Sequence, residues 1–384
     1  MRRLKKALRK FYIVFGLLFA VLLFGLAIST LLFPDQEYSS EEKRALAQFP
    51  SFNLSSVIDG SFMDGMEDWQ ADQFPFRNKL MQAKSKLSLA LGAIRSQNVY
   101  RCSDGSLMEH FKMPDDNTIN HLAGSLSAFS DRYPDIPKYF CIVPTAISVL
   151  EDKLPTAALT DDQNLYLDHL NETLSSLGTI VDVRDTFSQH KNDQQLYYFT
   201  DHHWTTDAAY LAWKELYPAM NLRSAVNYTP GVVCNNFAGS LLSSSGFPIK
   251  KYDSISVYVP DVDPVYTVTY ENEQRMTASV YAPEHLTDAD PYQIFFGGNF
   301  AKITIKTIND NDRKLLIFKD SYANCLIPFL IPDFEEITII DPRYYYDDLD
   351  MEILSSGYTE ILFLYNASTL AADTSLAPVL RNEQ

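Results

Sequence analysis

The chain has 384 residues, 46% of them hydrophobic, enough to bury at least one large core. Its formal charge of −17 is unevenly placed. Arg2, Arg3, Lys5, Lys6, Arg9 and Lys10 stand in the first ten residues without an acid, leaving 26 basic against 49 acidic groups over residues 11–384. A body so acidic excludes nucleic acid or anionic lipid as a partner held by its general field, so any polyanion it handles needs a local basic patch.

Phe11 to Phe33 runs for 23 residues without a charge. At about 1.5 Å per residue, a helix of that length crosses a hydrocarbon core of about 30 Å. The basic flank orients it, with residues 1–10 as a cytoplasmic tail and everything after Pro34 outside. A cleaved signal peptide is the alternative, with Ala27-Ile28-Ser29 as the small-residue site. Such peptides have apolar regions of about 7–15 residues, and Leu31-Leu32-Phe33 carries this one past the site. The expectation is an uncleaved single-pass anchor over 11–33 in the cell membrane. Residues 34–94 follow as a juxtamembrane stalk and helical segment. Pro34, Pro50 and Gly60 break its first part, which holds one short helix around Ser40–Gln48. Phe62 to Ile94 reads as helix, broken at a packing corner, Phe74-Pro75-Phe76-Arg77.

From residue 95 to 384 the pattern becomes α/β. Apolar runs of strand length occur at Tyr139–Val143, Ile180–Val183, Leu315–Phe318, Ile337–Ile340 and Ile361–Tyr365. Continuously apolar strands fit a parallel sheet covered on both faces. Helices are expected at Thr118–Arg132, Asp161–Leu177, Asp207–Tyr217 and Ser321–Leu330. The fold class that follows is a three-layer α/β/α domain with a central parallel sheet, whose sites lie at the carboxyl ends of the strands. Residues 226–307 differ, with alternating pieces at Ser254–Val259, Val265–Tyr270, Ala278–Tyr281 and Thr304–Thr307, and read as a β-rich insertion. The four cysteines show no C-x-x-C spacing, so neither a zinc knuckle nor a redox pair is suggested. A Cys102–Cys141 bridge is open to a protein outside the cell, with free buried cysteine as the plainer alternative.

Two stretches carry chemistry. One packs Asp201, His202, His203 and Trp204 into four consecutive residues. The other, Leu315 to Tyr322, is an apolar strand ending in Lys319-Asp320-Ser321. Ser321 would stand at the sheet's carboxyl edge near helix N-terminal amides that can stabilise an oxyanion. An ordinary N-cap at Asp320 or Ser321 is the plain alternative. In a turn or short extended piece residues i and i+2 can project the same way, so Asp201 can hold the Nδ1 hydrogen of His203 and leave Nε2 facing a hydroxyl, with His202 pointing away. Thr205 or Thr206 caps the next helix, with Asp207 in its first turn. A structural histidine pair, or a metal held by His202, His203 and Asp207, remains an alternative; no H-x-x-x-H spacing or carboxylate cluster supports the metal, and no cofactor is expected.

The segment Tyr198-Phe199-Thr200-Asp201-His202-His203-Trp204 resembles the signature of the bacterial DHHW protein family, which is similar to SGNH-like polysaccharide O-acetyltransferases of the alginate-acetylation type. In those enzymes an Asp-x-His motif precedes a late serine, and Asp201, His203 and Asp320-Ser321 match that order. Phe74 to Arg77, Asp104-Gly105 and Ile340 to Tyr344 are softer matches, and the resemblance covers most of residues 35–370. Lys319 is a departure, because the wider SGNH class has glycine before its Asp-Ser pair. The resemblance implies Ser321 as nucleophile, His203 as base and Asp201 as its orienting acid. Oxyanion donors are sought at Asn366 or at Gly298-Asn299, either of which reads equally as a plain turn. Arg343 and Tyr344, after a strand end, are candidates for substrate binding, with capping or surface packing as the alternative.

The expected function is a membrane-anchored extracytoplasmic O-acetyltransferase that forms an acetyl-serine and passes the acetyl group to a cell-envelope polysaccharide. The resemblance also implies a membrane-bound O-acyltransferase as acetyl supplier. A carbohydrate esterase running the same chemistry to water, a non-catalytic glycan-binding or scaffold protein using the 23 Tyr and 3 Trp, and a metal-dependent phosphoesterase are the alternatives.

Overall fold

The computed structural model describes residues 2–36, 38–39, 44–249 and 251–383. The chain divides into two compact units, Met1–Gly92 and Ala93–Gln384.

In the first unit, helix α1 (Arg2–Leu32) contains a stretch, Leu8–Thr30, long and apolar enough to cross a membrane. The short helix expected over 40–48 is not formed where it can be seen. Residues 40–43 lie outside the described residues, and Arg44–Ala45 is extended, paired antiparallel with Tyr38–Ser39. A short helix does form at Leu54–Ile58, capped by Asn53. Helices α2 (Ser61–Asp72) and α3 (Arg77–Ala90) meet at the expected corner, where Pro75 lacks an N–H and Phe76 turns the chain at φ 61°.

The second unit is built on one eight-stranded sheet. Its strands are β1 (Lys138–Val143), β2 (Thr179–Ile180), β3 (Tyr266–Tyr270), β4 (Arg275–Thr277), β5 (Lys302–Thr307), β6 (Lys314–Lys319), β7 (Glu336–Ile340) and β8 (Glu360–Asn366). Their order is β4-β3-β5-β7-β6-β8-β1-β2. From β7 to β2 the pairing is parallel; β4, β3 and β5 extend the sheet antiparallel. The β-rich stretch is therefore divided: three of its strands join the main sheet, and only the hairpin Tyr228–Phe237 with Asp253–Pro260 stands apart. No strand forms over Ala278–Tyr281, where Tyr281 makes a single bridge to Phe295.

Alternate residues of β6 feed two cores. Leu315 and Ile317 join Ile337, Ile339, Leu362 and Leu364 beneath the helix Thr206–Ala219, while Leu316 and Phe318 join Ile361, Phe363 and Phe140 beneath the helices Asp116–Arg132 and Leu376–Arg381. Helices α4 (Asp116–Arg132), α5 (Gln163–Leu174), α6 (Thr206–Ala219), α7 (Leu349–Ser356) and α8 (Leu376–Arg381) form the outer layers. Phe318 and Phe140 stack on either side of Phe363, at centroid distances of 5.1 and 5.0 Å. Each fully buried side chain of this kind contributes about 1.5–3 kcal/mol. All four cysteines are free and buried, and burial pushes the Cys102 and Cys141 thiols up to about 12.

After β6 the chain does not enter the expected α-helix. Pro328 and Pro332 interrupt it, and residues 321–333 form three successive 3₁₀ turns. These turns pack on the face covered by α6, whereas the chain leaving β8 packs on the opposite face. Ser321 thus stands where the connections from two adjacent parallel strands part, the place where open α/β sheets leave a crevice.

Candidate active site

Ser321 opens the 3₁₀ turn that follows β6, and its neighbour Asp320 does the capping. Asp320 Oδ1 accepts from the Tyr322 N–H at 2.8 Å; Oδ2 accepts from the backbone N–H and side-chain Nδ2 of Asn366 at 2.8 and 2.6 Å. Burial pushes the Asp320 carboxyl up to about 6, against the pull of these donors. With the cap assigned to Asp320, the Ser321 hydroxyl is left for another partner.

That partner arrives on the loop before α6. Tyr197 and Trp204 form an antiparallel bridge at its base, and residues 200–203 bend rather than extend. Asp253, from the hairpin, holds the loop from inside. Its carboxylate accepts from the N–H groups of Phe199 and Thr200 at 2.8 and 2.9 Å, from the Thr200 hydroxyl at 2.6 Å and from Gln195 Nε2 at 3.0 Å. Thr205 caps α6 by accepting from the Ala208 N–H, and Asp207 accepts from the Tyr258 hydroxyl at 2.8 Å. Two bonds then clasp the loop to the serine segment: the Trp204 indole N–H donates to the Tyr322 carbonyl at 2.9 Å, and the Tyr322 hydroxyl donates to the His202 carbonyl.

The clasp brings Asp201, His203 and Ser321 into line. His203 Nδ1 lies 2.6 Å from Asp201 Oδ1, and His203 Nε2 lies 2.8 Å from Ser321 Oγ. The same Asp201 oxygen accepts from the His203 backbone N–H at 2.9 Å, and Oδ2 accepts from the Ser240 N–H at 2.7 Å. A carboxylate on Nδ1 fixes the proton there and leaves Nε2 as acceptor toward the serine hydroxyl. Burial, reinforced by His202, lowers His203 to about 4 in spite of Asp201. The ring is therefore neutral at ordinary pH, the form in which an imidazole can take a proton from a hydroxyl.

His202 does not point away. Because the loop bends, its ring lies 3.9 Å from that of His203, and Tyr292 stacks on the His203 ring at 3.9 Å and 16°. His202 Nδ1 bonds Ser240 Oγ at 2.7 Å. Asp201, His202 and His203 are the one set among the described residues whose donor atoms lie close enough together for a metal ion; Asp207, the third ligand in the metal alternative, is drawn off to Tyr258.

The remaining candidates fare differently. Asn366 spends its backbone N–H on Asp320 and its side-chain amide on Asp320 and Thr369, so its donors are committed to the cap and not to an oxyanion. Gly298, at φ 123°, is a turn glycine whose N–H donates to Phe295. Asn299 lies closer to the chemistry: its Oδ1 accepts from Lys319 Nζ at 2.6 Å and Asn324 Nδ2 at 3.1 Å. Lys319, in the position of the missing glycine, is fully buried and also reaches Asp341 at 3.2 Å. Arg343 makes a two-pronged pair with Asp341, at 2.8 and 2.6 Å. Burial pushes Asp341 up, but Lys319 and Arg343 together hold it below the ordinary carboxylate range. Arg343, His202, Tyr322 and Ser368 line a cleft of about 840 Å³ beside the triad, whereas Tyr344 is exposed and not among its walls.

Sequence reasoning missed Asp253, Ser240 and Tyr292. Asp253 sits in an ordinary strand pattern and Ser240 in a serine-rich run, so neither carries a local signal.

The DHHW protein family model matches residues 134–340, more than half of the chain. A DHHW family protein from Eubacterium siraeum is similar in structure, with a TM-score of 0.62 and 24% identity, over 74% of this chain and 94% of that one. Bacillus cereus PatB1 with a sulfonyl adduct is similar over 74% of this chain and 98% of its own, with a TM-score of 0.63 and 20% identity. A further structure of PatB1 gives 0.60 and 21%, over 70% and 96%. No curated protein matches the sequence. The matched span holds both the Asp-His-His-Trp loop and the Asp-Ser segment that it clasps, and the chain belongs to the DHHW family.

Proposed function

We propose that this protein is a serine-dependent O-acetyltransferase, anchored by α1 with its second unit outside the cytoplasm, that moves acetyl groups to a cell-envelope polysaccharide. The observation that carries this reading is the unbroken chain from Asp201 through His203 to Ser321, at 2.6 and 2.8 Å. Ser321 Oγ attacks the acetyl carbonyl of the donor while His203 Nε2 takes its proton, and Asp201 stabilises the imidazolium. His203 returns the proton to the leaving group, and an acetyl-serine remains. An acceptor hydroxyl then gives its proton to His203 and takes the acetyl group, and His203 passes that proton to the departing Ser321 Oγ, restoring both side chains. The Ser321 backbone N–H, at the start of the 3₁₀ turn and next to the attacking hydroxyl, serves as an oxyanion donor. The acetyl supplier in this reading is a membrane-bound O-acyltransferase.

The reading is tested with a sulfonyl fluoride, a probe of activated serine. The expected result is a single adduct on Ser321, absent from Ser321→Ala, together with acetyl transfer from a small ester to added glycan. Hydrolysis without transfer would make the protein an esterase; no adduct and no turnover would leave it a binding protein.

The state of His203 can be followed directly. Its folded pKa, about 4, lies below the ordinary value, so the proton that removes the Nε2 acceptor arrives only as the pH falls toward 4. In an NMR titration the His203 ring is expected to keep its neutral shifts from about pH 8 to about pH 5. A midpoint near 6.5 in the folded protein would contradict the buried base.

A further inference from the structure

Helix α3 carries Arg77, Lys79, Lys84 and Lys86 and no acid, in a body where acids far outnumber bases. At about 3.6 residues per turn, Leu80, Leu87 and the C-cap Leu91 fall on one stripe, with Ala83 and Ala90 beside it. Lys84 borders the stripe on one side and Lys79 and Lys86 on the other; Arg77, on the side of Lys84, pairs with Asp72 at 3.9 Å. The stripe is open, with Leu80, Leu87 and Leu91 exposed by 51%, 62% and 79%, while Ser85 on the opposite side of the helix is buried. An apolar stripe edged on both sides by long cationic side chains suits a bilayer surface: the leucines enter the acyl region, and the cations lift their charge to the phosphates.

The start of α3 is fastened to the end of α1. The Phe33 and Phe76 rings lie 6.4 Å apart. The Trp69 indole N–H donates to Asp35 at 2.8 Å. The Gln36 N–H donates to Gln73 Oε1, and Gln73 Nε2 returns a bond to the Gln36 carbonyl, both at 2.9 Å. Where α1 leaves a bilayer, α3 begins at that same surface.

We propose that α3 lies in the outer-leaflet interface, with Leu80, Leu87 and Leu91 among the acyl chains and its flanking cations on the phosphates of anionic phospholipid. The proposal rests on α1 spanning the membrane. It gives the first unit two attachments, one across the bilayer and one along it, and it supplies the local basic patch that so acidic a chain needs to meet an anionic surface.

The test uses the full-length protein in nanodiscs containing phosphatidylglycerol. The native cysteines are buried, so a fluorophore can be directed to an introduced one. At Leu87→Cys the label is expected to be quenched by a lipid-borne nitroxide and shielded from iodide. Phe19→Cys, inside α1, reports the span separately: iodide access there would overturn the anchor and this proposal together. With Phe19→Cys in the bilayer, iodide access at Leu87→Cys overturns the interfacial helix alone. Shielding of Leu87→Cys from both quenchers would mean that protein covers the stripe, and would also overturn it. Combining Lys79→Glu, Lys84→Glu and Lys86→Glu should move the Leu87→Cys label from nitroxide to iodide quenching, with circular dichroism unchanged; no movement would refute the role of the cations.

Discussion

Ser321→Ala and His203→Ala are each expected to lose about 10⁴-fold in turnover of a small acetyl ester, and Asp201→Asn a similar order. The three side chains act as one unit, so Ser321→Ala combined with His203→Ala should be scarcely worse than either alone. For Asp201→Asn the cause is the tautomer: an amide in place of Oδ1 no longer holds the proton on Nδ1, and the acceptor at Nε2 is lost. His202 supplies the contrast. Its backbone carbonyl, which takes the Tyr322 hydroxyl, survives truncation, while its ring gives up one bond to Ser240 and its contact with the His203 ring. His202→Ala should therefore cost about tenfold, the size of one side-chain hydrogen bond. It should also raise the His203 pKa, since His202 is one of the groups that lower it. A metal site would break this pattern, because both histidines would then matter alike and chelators would inactivate the protein. Equal loss from the two histidine variants, with the fold intact, would remove His203 as the base.

The parts of this site that were legible in the sequence are those whose signal is local. An apolar run of strand length names β6, and the Asp-Ser at its end falls at the sheet's carboxyl edge whatever the topology. The pairing of Ser321 with His203 across 118 residues came from residue chemistry and from the family resemblance, not from any spacing. What failed was reasoning from an assumed backbone. The parity of an extended strand sent His202 away, but residues 200–203 bend, because Asp253 gathers the Phe199 and Thr200 amides into a turn. The helix expected after Ser321 overlooked Pro328 and Pro332, which the sequence plainly carries. The antiparallel extension of the sheet was hidden for a different reason: alternating strands read the same whether they form a lobe or join the main sheet. Asn366 was correctly placed at a strand end, but its donors belong to Asp320.

A single added methyl group should damage this site more than the loss of the whole His202 ring. Gly239 has ordinary extended dihedrals, φ −84° and ψ 177°, so backbone freedom is not why glycine stands there. Space is: a Cβ would lie 2.2 Å from Asp201 Cβ and 2.5 Å from both Asp201 Cα and the Thr200 carbonyl oxygen. None of these atoms can yield cheaply, because Asp253 pins Thr200 from the other side. The segment carrying Gly239 would have to retreat instead. That breaks the Gly239 N–H bond to Thr200 Oγ1 at 2.9 Å and takes the Ser240 N–H away from Asp201 Oδ2. Gly239→Ala is therefore expected to lower turnover by about 10²-fold or more, the effect of a misplacement near 1 Å, and to cost about 1–3 kcal/mol of stability through overpacking. Ser240→Ala separates the two consequences, since it keeps the N–H to Asp201 and removes only the hydroxyl bond to His202; it should cost no more than about tenfold. Denaturant unfolding and ester turnover on the two variants decide the matter. Full turnover in Gly239→Ala would show that Asp201 does not depend on the segment that packs against it.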